Sequence, residues 1–318
     1  MAERHVHMRV HLALIFIQIT FGGFHVYGKY LLDHLHPLAL AGARVIMATP
    51  LLFLLAWRVD PRIPAARDLI RLAVLGLFGV FCNQLLFITG LRYTTASSAG
   101  ILMPSIPVFV VALAAVLHIE RLSAARAAGV GLAVAGALVV LNPAALSLEG
   151  GASFGNLLIV LNCLSYGLFL VLQRPILRRL HPLTVVAWAF LFGGTGVVAV
   201  SAPTILETPW RSVPPPAWLG LLYVVLVATC ANYALNTWAV GRSSSGLVAT
   251  YITLQPLSSM ILAFLFLGER LGWREGVSFV LIVAGLTLVS RTAGGGRAPS
   301  RQEAGPSGGE PGSPPSAG

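Results

Sequence analysis

The sequence predicts an all-α integral membrane protein with ten transmembrane helices, arranged as two inverted five-helix repeats. Three observations carry that prediction. Hydrophobic residues make up 56% of the 318-residue chain and charged residues only 10%, whereas a soluble domain carries about 25% charged residues. The apolar residues gather into ten runs near the ~20 residues that a helix needs to cross the hydrocarbon layer. The third observation is a repeat. Pro107 precedes Glu120-Arg121-Leu122 by 13 residues, and Pro256 precedes Glu269-Arg270-Leu271 by the same 13. The same offset of 149 residues pairs Asn83 with Asn232 and Gly136 with Gly285. Five spans per copy is an odd number, so the second copy enters the membrane upside down.

The first copy places its runs near residues 10–30, 38–57, 69–90, 95–118 and 123–141. The second places them near 155–174, 182–203, 217–239, 243–267 and 272–290. The run after Met1–Arg9 is too long for a signal-peptide core and has no clear small-residue cleavage site, so it reads as the first span. Runs four and five lie close together, as do nine and ten, and Glu-Arg-Leu marks the tight turn in each case. Runs five and ten are rich in small residues: Gly129, Gly131, Ala133 and Gly136, then Gly276, Ala284 and Gly285. That composition suits close helix approach, to the bundle or to each other, with a homodimer contact as the weaker expectation. The first repeat therefore covers residues 1–142 and the second 154–291, with a linker at 143–153. From Thr292 to Gly318 the composition turns to Gly, Pro and Ser, which cannot bury enough apolar area to offset chain entropy. A disordered cytoplasmic tail is expected there.

A formal charge of +10 raises nucleic acid as a partner. The arginines punctuate apolar runs and form no basic face, so they read as an orientation signal and no nucleic acid is expected. Of the 21 Lys and Arg, 15 fall on the side of the two termini and 5 on the other, with Arg44 inside the second run. That bias puts both termini in the cytoplasm and the chain in the cell inner membrane. The three cysteines all sit in apolar runs, without the spacing of a disulfide framework or a zinc site.

Several stretches resemble the EamA-like, ten-helix branch of the drug/metabolite transporter superfamily. The first run carries Phe21-Gly22-Gly23-Phe24-His25-Val26-Tyr27-Gly28-Lys29 and the second Pro37 to Arg44, similar to that family's opening aromatic-glycine pattern and its Pro…Arg signature. Leu254-Gln255-Pro256 through Leu267-Gly268-Glu269 is similar to its Pro…Leu-Gly-Glu block, with a weaker echo from Ile106-Pro107 to Ile119-Glu120. Asn232-Tyr233-Ala234-Leu235-Asn236-Thr237-Trp238-Ala239 is similar to its Tyr-Ala-Leu…Trp-Ala stretch. His25 stands where Asn is common and Tyr166-Gly167 where Trp-Ala is common. The resemblance covers residues 10 to 290 and implies a carrier of amino acids, other metabolites or toxic compounds, generally outward. It also implies substrate contacts around Phe24, His25 and Tyr166.

Ionisable groups inside a membrane are costly, so each asks for a reason. Arg44 reads as a structural cation that snorkels or pairs with a neighbouring helix, with binding of an anionic substrate as the alternative, and Lys29 reads the same way. His25 is the one mid-span side chain that titrates near neutral pH; it either bonds a neighbour's backbone or hydroxyl, as a lone histidine more often does, or carries a coupling proton or touches substrate. The uncharged polar groups are the stronger site candidates: Asn83 and Gln84, Asn162 and Tyr166, Asn232, Tyr233 and Asn236, and Tyr251 and Gln255. Residues four apart share a helical face, and such faces avoid lipid, so these groups either hold helices together or line a cavity. Pro104, Pro107 and Pro256 are expected to bend the fourth and ninth spans and to gate the site. Glu120 and Glu269 read as turn residues that cap or pair locally.

None of the eleven Asp and Glu lies mid-span, and the chain has no Walker-type loop, catalytic triad or metal-ligand grouping. No metal, cofactor or catalysis is expected. The expected protein is a carrier in a lipid bilayer, with a central site for a small polar metabolite built from spans one, three, four, six, eight and nine. The alternative is an integral membrane enzyme acting on lipid-linked substrates, which would need a reactive cluster such as Asp33, His34 and His36.

Overall fold

The computed structural model describes residues 2–117, 124–141, 151–243, 248, 251–270 and 272–293. The described residues form helices and connecting turns, without a strand. In the first repeat α1 is Ala2–Leu32 and α2 is Pro37–Val59. The third run is one continuous rod, Ala66–Tyr93, made of α3 (Ala66–Gly76), a π-helical stretch (Leu77–Cys82) and α4 (Asn83–Tyr93). The fourth run is broken into α5 (Ala96–Leu102) and α6 (Ser105–Val116), and α7 is Ala124–Leu141. The second repeat supplies α8 (Ala152–Gln173) and α9 (Pro182–Glu207). A second rod, Pro215–Arg242, joins α10 (Pro215–Tyr223), a π-helical stretch (Val224–Ala231) and α11 (Asn232–Arg242). A 3₁₀ turn, Ile252–Leu254, leads into α12 (Gln255–Leu267), and α13 is Trp273–Ala293.

Seven rods among the described residues are long and apolar enough to cross a membrane, which makes this a multi-pass membrane protein. They correspond to runs one to four and six to eight; α7, α12 and α13 fall outside that set. Local chemistry sets several starts. Both α2 and α9 open on His-Pro, where His36 and His181 accept the N–H of Leu38 and Leu183 through Nδ1. Pro37 and Pro182 then occupy the first helical position, which has no amide hydrogen bond to lose.

The prolines act differently from the expected bends. Pro104 caps α6 at the break after Met103, and Pro107 lies in the first turn of α6. Pro256 lies in the first turn of α12. First-turn amides have no intrahelical partner, so Pro107 and Pro256 start helices instead of kinking them. The broken points nonetheless match between repeats, since the Pro107 and Pro256 positions are the pair related by the 149-residue offset.

Packing pairs the elements in a repeating scheme. Helix α2 lies along α9, and α7 lies along α13. Helix α1 packs on α12 while α6 packs on α8, and α4 packs on α8 while α1 packs on α11. Each of the last two contacts reappears with the halves exchanged. The small residues of runs five and ten serve each other: a Cβ at Gly136 would come within 2.9 Å of the Ser278 carbonyl, and one at Gly285 within 2.8 Å of the Ala133 amide. Backbones this close tolerate no side chain at either position.

Glu269 is not paired with its neighbour Arg270, as a local turn residue would be. Gly268 adopts φ +64° at the end of α12, a left-handed cap that suits glycine and turns the chain sharply. Glu269 is thereby delivered to the start of α5, where its Oε1 accepts the Ala96 N–H and its Oε2 the Ser97 N–H, both at 2.9 Å. A carboxylate at a helix N-terminus meets both unpaired donors and the positive end of the dipole. Glu269→Gln removes the charge and one acceptor, and is expected to cost about 1.5 kcal/mol of stability. Thermal unfolding of the purified chain in detergent checks it; a midpoint equal to the native one would refute the cap. Glu120, residues 143–150 of the expected linker and 294–318 of the expected tail lie outside the described residues, while Ala152 and Ser153 already belong to α8 and Thr292 and Ala293 still belong to α13.

Candidate functional site

Both repeats contribute to one central cavity of about 50 Å³. It is lined by Gln18, Phe21, Phe24 and His25 of α1, Arg44 of α2, and Asn83 and Phe87 of α4. Met103 at the break in the fourth run, Ile106, Asn162, Tyr166, Tyr233, Asn236, Ile252 and Gln255 complete it. Eight of the eleven expected substrate residues therefore converge: Phe24, His25, Asn83, Asn162, Tyr166, Tyr233, Asn236 and Gln255.

The other three are buried or half-buried elsewhere. Gln84 turns its Oε1 to Arg44 Nη1 at 2.8 Å. Asn232 accepts the Thr20 hydroxyl at 2.9 Å, tying α11 to α1. The Tyr251 hydroxyl bonds His11 Nδ1, so it ties the second repeat to the start of α1. Tyr251 and Gln255 are four apart but do not share a face. The intervening 3₁₀ turn has three residues per turn, which rotates Tyr251 away from the face an α-helix would give it.

The two π-helical stretches occupy equivalent places, each ending just before the paired asparagines Asn83 and Asn232. A π-bulge loosens the regular hydrogen-bond ladder, and side chains here take up its carbonyls. Tyr233 donates to the Gly79 carbonyl at 2.9 Å and to Asn83 Oδ1 at 3.0 Å. Ser165 donates to the Phe78 carbonyl at 2.7 Å, and Asn162 donates to the Asn83 carbonyl at 2.9 Å. Tyr233, Ser165 and Asn162 belong to the second repeat, so the bulge of the first repeat is held by the other half. Phe169, Phe190, Tyr166 and Tyr233 build an aromatic wall behind these bonds.

His25 is 1% exposed and bonded on both ring nitrogens. Gln255 Nε2 lies 3.4 Å from His25 Nε2, and an amide nitrogen only donates, so Nε2 accepts. The neutral ring then carries its proton on Nδ1, which donates to Ser259 Oγ at 2.6 Å. This relay joins α1 to α12 across the cavity wall.

Arg44 reaches the cavity. It is 3% exposed; Nε donates to Thr229 Oγ1 and Nη1 to Gln84, and the guanidinium carbon sits 4.4 Å from the centroid of the Phe24 ring. No carboxylate pairs with it among the described residues, whose ion pairs are Arg62–Asp60 and Arg179–Asp68. Other lining atoms also lack partners: both amide atoms of Gln18, the Tyr166 hydroxyl and Asn236 Oδ1. These are four of the fourteen buried polar atoms without a partner among the described residues, and the other ten lie on residues that do not line the cavity.

Lys29 stands apart from the cavity. Its ammonium donates to the carbonyls of Leu91 at 2.9 Å, Arg92 at 3.2 Å and Thr94 at 2.5 Å, at the end of α4. Arg92 answers with Nη1 on the Leu32 carbonyl at 2.6 Å. The Asp33-His34-His36 loop is occupied by structure: His34 donates to the Tyr30 carbonyl at 3.1 Å, and His36 caps α2. Among the described residues no group of three His, Cys, Asp or Glu could hold a metal.

Sequence reasoning passed over Gln18, Phe21, Phe87 and Ser259. The first two were legible, because Gln18, Phe21 and His25 follow the i, i+3, i+7 spacing of one helical face.

A protein of Archaeoglobus fulgidus described as an uncharacterized transporter is 27% identical over 89% of this chain and 97% of its own length. A probable terminal-alkyne amino-acid exporter of Streptantibioticus cattleyicolor is 28% identical over 80% of this chain and 84% of its own. A crystal structure sharing 19% identity superposes with a TM-score of 0.63 over 90% of this chain and 98% of that one, which supports the fold alone. The EamA-like transporter family matches twice, over residues 8–142 and 153–291, and the chain belongs to that family.

Proposed function

We propose that the protein is a carrier that exports a small polar metabolite through the central cavity, by alternating access of two inverted five-helix repeats. The observation that carries this reading is the cavity itself: mostly apolar and aromatic with several polar groups, and lined by nine residues of the first repeat and six of the second. Packing contacts that recur with the halves exchanged are what a two-fold relation between the repeats requires. The site of Glu269 agrees with the inversion, because α12 ends beside Thr94 and Lys29 at the far end of α1 from the N-terminus. With α7, α12 and α13 counted as spans the total is ten, and the excess of arginine puts both termini in the cytoplasm. Cargo of the amino-acid type is supported by the name of the exporter relative. The His25–Ser259–Gln255 relay is the natural place for a coupling proton, since it links the halves and borders the cavity.

The test is the set of solutes released by cells overproducing the native chain or Asn236→Leu, at matched membrane levels. The native chain is expected to release a solute class that the variant releases roughly tenfold more slowly, the factor for one lost hydrogen bond of about 1.4 kcal/mol. Equal release from both would remove the cavity from the path, and no release from either would sink the export reading.

A further inference from the structure

We propose that the cargo carries a carboxylate, and that the guanidinium of Arg44 is its anchor in the cavity. The inference rests on the carrier reading and concerns what the carrier holds. A cation buried among helices is normally matched by an anion. Arg44 has hydrogen bonds only to the neutral acceptors Thr229 and Gln84, and a ring beneath it. Those bonds occupy Nε and Nη1, while Nη2 has no partner among the described residues. The guanidinium fork is shaped for a carboxylate, and a site with one fixed cation and no fixed anion becomes neutral only when an anion enters.

A structural arginine at this depth would be expected to find an acidic partner or a full set of carbonyls. Lys29 shows what that looks like in this same protein, with three backbone carbonyls around one ammonium. Arg44 has instead been left with donor capacity facing the space that a cargo would fill. The unpartnered atoms nearby extend the pattern: the amide oxygens of Gln18 and Asn236 can accept from an ammonium or hydroxyl on the same solute. The aromatic lining of Phe21, Phe24 and Phe87 receives its apolar part.

The experiment measures thermal unfolding of the purified full-length chain in detergent, with probes that differ only at the head group. The probes are L-phenylalanine, 3-phenyllactate, 3-phenylpropionate and L-phenylalaninamide, with L-alanine and L-alaninamide as a smaller pair. Carboxylates at tenfold excess over their dissociation constant are expected to raise the midpoint by on the order of 3 °C. The amides are expected to bind roughly 30-fold more weakly or worse, the factor for leaving a buried charge unpaired. Arg44→Gln should abolish the carboxylate shift, while Arg44→Lys keeps part of it. If Arg44→Gln fails to fold, the acid-against-amide comparison on the native chain decides alone.

Among the acids, preference for phenylalanine over phenylpropionate assigns the Gln18 and Asn236 oxygens to an ammonium; the reverse makes the cargo a simple anion. Both outcomes support the anchor. An amide that shifts the midpoint as much as its acid, or a shift that survives in Arg44→Gln, overturns it and leaves the carrier reading standing on solute release. Failure of every probe to shift the native chain overturns the carboxylate assignment as well.

Discussion

Replacing Lys29 by methionine is expected to lower the stability of the folded chain by about 3 kcal/mol, the upper end of the worth of a hydrogen bond to a charged group. The methionine keeps the apolar stem and removes the ammonium, so the carbonyls of Leu91, Arg92 and Thr94 lose one shared donor together. These carbonyls close α4, whose last turn has no following helical amides to satisfy it. The reciprocal bond from Arg92 to the Leu32 carbonyl means that the ends of α1 and α4 are clamped from both sides. Lys29→Arg should recover most of the loss, because a guanidinium can still donate to several carbonyls. Unfolding in detergent, with Lys29→Met against native, checks the effect; a change below about 1 kcal/mol would show that water replaces the ammonium and that the clamp is unimportant. The export rate of folded Lys29→Met should stay close to native, since Lys29 does not reach the cavity.

The contrast between Lys29 and Arg44 shows how far sequence can go. Both are basic residues inside apolar runs, and both read as structural cations. What separates them is the identity of their acceptors, which belong to residues 40 to 185 positions away and leave no trace in local pattern. The polar candidates divide on similar grounds. Asn232 and Asn236 share an α-helical face as expected, yet only Asn236 reaches the cavity, because Thr20 of α1 covers Asn232. Tyr251 departs for a different reason, a 3₁₀ turn that the four-residue spacing assumes away. Segment order, the repeat and the family were legible because each rests on composition or on pairs of motifs at a fixed offset. The breaks at Pro104 and Pro256 were legible in place but not in kind, since proline marks a helix start as readily as a kink.

The π-helical stretches left no sequence signal at all, and they support the largest functional prediction. A π-bulge is an α-helix carrying one extra residue, so deleting one residue restores the α ladder. The rod Ala66–Tyr93 would then remain one apolar helix of nearly unchanged length. Its two ends, however, would be turned relative to each other by about 100°, the angle one residue contributes. Asn83 and Phe87 would rotate out of the cavity, and the Gly79 carbonyl would no longer meet Tyr233. Deletion of Val80 is therefore expected to reduce export to background while the chain still reaches the membrane in native amount. Deletion of Leu226 should do the same in the second repeat, because its π stretch stands at the equivalent place before Asn232. Substituting Val80 by Ala leaves the ladder as it is and should lower export less than threefold, the consequence of a small cavity away from the site. Near-native export by either deletion would mean that the bulges are packing accidents. Loss in both deletions, with retention in Val80→Ala, would identify the two bulges as the elements that aim α4 and α11 at the cargo from opposite halves of the carrier.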